Sequence, residues 1–128
     1  MALIVQKYGG TSVADADRIR EVARRIVRGK EAGNQMVVVV SAMGDTTDDL
    51  IKLANQVSDK PDKREMDVLL STGEVVSSTL LTMALHSMGY HAISLSGAQA
   101  GIKTDTAYSR ARILGIDPQR IISELEKG

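Results

Sequence analysis

The stretch "LIVQKYGGTSVADADRIREVARRI", Leu3 to Ile26, passes from an apolar run through Lys7 and a Gly-Gly-Thr-Ser corner into residues at helical spacing. Leu3–Val5 is short, apolar on both faces and β-branched, which is how a strand buried between helix layers reads. Ala16, Ile19, Val22, Ala23, Ile26 and Val27 recur every three or four residues. Asp15 is placed to cap that helix, and Gly29 or Gly33 to end it. A second apolar run, Met36–Val40, completes a strand, helix, strand crossover between two central parallel strands.

Outward from there, "SAMGDTTDDLIKLANQV" follows the second strand, with Thr46 and Asp49 at capping-box spacing ahead of another helix. "SDKPDKR", Ser58 to Arg64, reads as a surface loop. "LLSTGEVV" breaks an apolar helical pattern at Thr72, Gly73 and Glu74, and the pattern then resumes from Val76 to Ser87 and stops at Gly89. His91–Leu95 reads as a third strand, Gly101–Lys103 and Arg112–Gly115 as short extended pieces, and a last helix starts near Pro118. An α/β chain would normally enter another buried strand after that helix, so the sequence reads as cut short.

Composition narrows the function classes. The 128 residues suffice for one domain with a genuine core, but with no Phe and no Trp that core must come from Val, Ile, Leu, Ala and Met. Three Tyr rings are too few for a base-stacking nucleic-acid module. Sixteen basic residues balance sixteen acidic ones, which removes the positive field expected of a protein that binds nucleic acid or a membrane surface. There is no Cys and no signal-peptide pattern, and Met36–Val40 is far too short to cross a bilayer. The expectation is a cytoplasmic enzyme or binding domain.

Strand, Gly-rich corner and helix is the geometry that aims backbone N–H groups and a helix dipole at an anion. In "KYGGTS", Gly9 and Gly10 permit close backbone approach, Thr11 and Ser12 add hydroxyl donors, and Lys7 brings a positive charge. The pattern is neither a Walker A loop nor GxGxxG, and a tight turn beside a surface lysine fits the same letters. Ser41, Gly44, Thr46 and Thr47 follow the second strand, at the sheet edge where α/β proteins bind ligands, although helix capping also accounts for either threonine. Glu74, among apolar neighbours, calls for a cationic partner unless it lies exposed at a helix start. Arg24, Arg25, Arg28 and Lys30 fit the C-terminal dipole of the first helix. His86 and His91 lack metal-site spacing, so no metal ligands are assigned.

The corners "KYGGTS", "VVVVSAMGDTTDDL" and "LLSTGE", with "SGAQAGIKTD" and "ARILGID", together resemble the N-terminal part of the aspartokinases, of the amino acid kinase family. The resemblance implies a three-layer αβα sandwich on a mainly parallel sheet. It implies ATP-dependent phosphorylation of the L-aspartate side-chain carboxylate to 4-phospho-L-aspartate, the first step toward lysine, threonine and methionine, with Mg2+ as cofactor. Carried over by position, Lys7, Tyr8, Gly9, Gly10, Thr11 and Ser12 would meet the ATP phosphates, with Lys7 catalytic. Ser41 would stand where nucleotide and amino acid join, and Thr47 and Glu74 would bind aspartate, Glu74 through its α-ammonium. A carboxylate acceptor is already ionised at pH 7, so no general base is required.

On this resemblance residues 1–128 are the N-terminal portion of a catalytic domain, with the C-terminal ATP-binding half and the regulatory domains absent. The chain alone is then expected to be inactive, and to form a homo-oligomer or associate with the missing portion. The rivals are a non-catalytic fragment or binding module of the same fold, and an amino acid kinase acting on glutamate or a carbamate. A carbamate has no ammonium for Glu74 to pair.

Overall fold

Two parallel strands, β1 (Leu3–Tyr8) and β2 (Gln35–Val40), are paired from Leu3 opposite Gln35 to Tyr8 opposite Val40. The computed structural model describes residues 1–128. Between the strands run a short 3-10 turn, Gly10–Val13, and helix α1 (Ala16–Glu31). After β2 come α2 (Thr46–Val57) and the long α3 (Lys63–Ser87), then an antiparallel pair, β3 (Ile102–Thr104) with β4 (Ile113–Ile116), and α4 (Gln119–Glu126).

α1 forms as its sequence dictates. Asp15 caps it by accepting from the Arg18 amide at 2.8 Å, and Ile19, Val22, Ala23 and Ile26 make its buried stripe. Gly33 ends it at φ +90°, whereas Gly29 stays inside the helix, where a β-carbon would stand 2.8 Å from the Met36 sulfur. Strand alternation then divides the sheet into two faces. Tyr8, with Met36, Val38 and Val40, packs on the α1 stripe and on Leu81 and Leu85 of α3. Leu3, Val5 and Val39, on the opposite face, remain 49 to 63% exposed. The chain thus contributes a sheet and one helix layer.

Four expectations are corrected. The break at "STGE" does not exist, because α3 runs unbroken through it and buries Gly73, Ser77, Leu81 and Leu85 as one row at four-residue spacing. Asp62 caps its start by accepting from Glu65 N–H, which shortens the expected loop to Ser58–Asp62. His91–Leu95 is not a strand, for the sheet is only two strands wide and offers this segment no ladder. Thr46 makes no capping box: it lies inside α2, and its hydroxyl donates back to the Met43 carbonyl at 2.5 Å.

α3 is also long and apolar enough to cross a membrane, which the scattered Ser and Thr in its sequence conceal. Its buried row packs against α1 and β2, while Val68, Val75, Val76, Leu80 and Met83 remain exposed.

Candidate phosphate corner and acceptor site

At the carboxyl end of the parallel pair the two chain corners are tied directly together. Ser41 N–H donates to the Tyr8 carbonyl at 3.0 Å, and Gly44 N–H donates to the Gly10 carbonyl at 2.9 Å. The second bond requires glycine on both sides. A β-carbon on Gly10 would sit 2.9 Å from the Ala42 carbonyl oxygen and 3.0 Å from that of Gly44, while Gly44 itself turns at φ +51°. These two residues let the two corner backbones approach each other closely.

α3 closes the third side. Gly73 lies so near that a β-carbon there would be 2.8 Å from the Ala42 side chain and 3.5 Å from the Thr46 methyl. Four residues on, the Ser77 hydroxyl donates to the Ser41 carbonyl at 2.7 Å. Glu74, next to Gly73, is therefore held near the β2 corner although residues 41 and 74 are far apart in sequence. Lys7, Ser41, Thr47 and Glu74 come to one end of the sheet.

Lys7 is exposed on the sheet face opposite the core, and no carboxylate pairs with it. Glu74 is likewise exposed and unpaired, so it is a mid-helix carboxylate and not a helix-start one. The sheet end thus offers one free cation and one free anion, the complement of a phosphate and an ammonium. Ser41 and Thr47 are half-buried. Gly9, Thr11 and Ser12 are exposed along the first corner, where Ser12 N–H donates to the Gly9 carbonyl at 3.1 Å. Tyr8 contributes main chain only, since its ring is in the core and its hydroxyl donates to Gln6 Oε1 at 2.9 Å.

The helix-dipole expectation also changes. The 3-10 turn intervenes between corner and helix, and Asp15 already occupies the α1 amino terminus, so α1 does not aim its dipole at the corner unscreened. Arg18 instead donates to the Thr11 carbonyl at 2.8 Å and braces the turn. The other basic residues of α1 form a solvated face, as Arg24 with Glu21 illustrates. His86 meets the Ala92 carbonyl at 2.8 Å, a structural contact. An apolar groove of about 310 Å³ lies between α1 and α3 and includes neither Lys7 nor Glu74.

The sequence reading missed Ser77 and Ala42. For Ser77 a signal was present, a small polar residue in the row Gly73, Leu81 and Leu85, where a buried hydroxyl needs a partner.

The chain is similar to known proteins over its whole length. An aspartokinase of Mycolicibacterium smegmatis is 57% identical over all 128 residues. The aspartate kinase of Synechocystis superposes with a TM-score of 0.85 at 52% identity, over 98% of this chain and 20% of that one. Aspartokinase III of E. coli, solved with aspartate and ADP, shares the fold at a TM-score of 0.78 and 20% identity, over the whole of this chain and 39% of its own. This chain spans about 30% of the length of the curated relatives it matches. The sequence pattern of the amino acid kinase family matches residues 2–128, and the chain belongs to that family.

Proposed function

We propose that this chain is the N-terminal portion of a kinase that transfers the γ-phosphoryl group of ATP to the side-chain carboxylate of L-aspartate, giving 4-phospho-L-aspartate and ADP. The observation that carries this reading is the assembly at one sheet end of an unpaired Lys7, two backbones in glycine-limited contact, and an unpaired Glu74. Relatives named aspartokinase, at 52 to 57% identity over the whole chain, support the choice of acceptor.

The roles follow from charge. Lys7 and the amides of Gly9, Gly10 and Thr11 face the phosphates, and Lys7 neutralises the charge that builds on the transferring group. Glu74 pairs the α-ammonium of aspartate, Thr47 and Ser41 hold polar groups of the acceptor, and Ser41 adjoins both ligands. An aspartate carboxylate oxygen then attacks the γ-phosphorus in line. One P–O bond forms as the bond to the β-phosphate oxygen breaks, and ADP departs with that electron pair. No side chain needs to remove a proton.

Room for the phosphates is found at Gly9, where nothing lies within 4 Å of a β-carbon position, whereas the space beside Gly10 is filled by the Ala42 and Gly44 carbonyls. Magnesium would be carried chiefly by the ATP phosphates, and no step is assigned to it. A cytoplasmic setting and an oligomeric assembly belong to the same proposal. The test is a coupled ADP-release assay on the full protein with magnesium and ATP. Release that depends on L-aspartate is expected, and release indifferent to aspartate would refute the assignment.

A further inference from the structure

We infer that Ser77 is a positioning residue for the acceptor side of the site: its hydroxyl holds the Ser41 carbonyl and so sets the β2 corner against the turn of α3 that carries Glu74. The inference rests on the aspartate-kinase reading above and adds to it a residue that touches neither substrate.

Ser77 and Val13 are the only sizeable side chains fully removed from solvent. A hydroxyl so placed is costly unless bonded, and a serine within a helix usually satisfies itself on its own preceding turn. Ser77 does otherwise. Its oxygen is 3.4 Å from the Gly73 carbonyl and 3.2 Å from that of Glu74, but 2.7 Å from the Ser41 carbonyl, 36 residues away in sequence. One hydroxyl has one proton, and the short, long-range contact takes it.

The acceptor of that proton matters as much as the donor. β2 ends at Val40, and the Ser41 amide is taken by Tyr8, so Ser41 provides the first carbonyl past the end of the strand. Ser77 gives that carbonyl its partner. One turn earlier, Gly73 presses on Ala42 and Thr46. The corner is thus clamped at two points of one helix row, and Glu74 lies between those points. Removing the hydroxyl leaves the apolar packing in place and frees only the relation between Ser41 and Glu74.

The experiment is steady-state kinetics of Ser77→Ala in the full protein, with aspartate and ATP varied separately. Loss of positioning should raise the Michaelis constant for aspartate about ten-fold while that for ATP moves less than about two-fold. Leu85→Ala, in the same buried row two turns on, is the control. It should lower the melting temperature more than Ser77→Ala does and leave the ratio of the two constants unchanged. Should Ser77→Ala fail to fold, Ser77→Cys, similar in shape but a weaker donor, is read by the same criterion. A wild-type constant for aspartate in an active variant, or both constants rising together, would overturn the inference. Wild-type protein without aspartate-dependent ADP release would overturn the underlying reading first, and the two failures are thereby told apart.

Discussion

The parallel pair β1–β2 and the antiparallel pair β3–β4 both carry apolar side chains. Tyr8, in the first, is 8% exposed within a core, whereas Ile113, Leu114 and Ile116, in the second, are 62, 71 and 58% exposed. The difference lies in what packs on each. The first pair has the buried stripes of α1 and α3 against one face, whereas no helix packs extensively on the second, and α4, which follows it in the chain, buries no residue. Lys7, Gly10, Ser41 and Glu74 of the proposed site are drawn from the packed region, and Thr47 from α2, which lies against α3. Phosphoryl transfer works by positioning, and positions hold only where packing over-determines them.

That contrast can be broken by substitution. The largest effect is expected for Lys7→Ala, which should lower turnover by roughly 10² to 10³-fold while binding of aspartate changes little, because the charge acts on the transferring group. Lys7→Arg should not rescue it, since a planar fork does not replace a compact ammonium. Steady-state assays of the full protein check both, and unchanged turnover in the Ala variant would remove Lys7 from the mechanism.

Gly73→Ala is expected to destabilise by about 1–3 kcal/mol, although alanine is the better helix former by about 1 kcal/mol, because the added methyl meets Ala42 at 2.8 Å. Denaturant melts measure it, and a stabilised variant would mean that α3 does not press on the β2 corner. The smallest effect belongs to the other region. Leu114→Ser, in a strand without a buried residue, should shift stability by no more than about 0.5 kcal/mol in the same melts. A loss comparable with that of Gly73→Ala would erase the distinction between the two regions.

Much of the packed region was legible in the sequence. Asp15, the stripe from Ile19 to Ile26 and the two apolar runs are local signals, and each formed its element. What failed depended on partners distant in the chain. Gly73 reads as a helix breaker because glycine costs a helix about 1 kcal/mol, and only Ala42, 31 residues earlier, explains why it is there. The apolar letters of His91–Leu95 cannot announce that no neighbouring strand is offered. The residues of the proposed site, Lys7, Thr47 and Glu74, stand out in the sequence because their chemistry lies in their side chains, whereas the Ser77 bond to Ser41 exists only after folding.

The central claim is that the two corners and α3 together build an acceptor pocket in which Glu74 meets an ammonium. Its most direct test is Glu74→Gln in the full protein, with the Michaelis constants for aspartate and for ATP measured separately. The substitution keeps shape and removes charge, so the constant for aspartate should rise at least about ten-fold while that for ATP stays nearly fixed. Constants that move together, or not at all, would contradict the claim and leave Glu74 a surface carboxylate on a core helix.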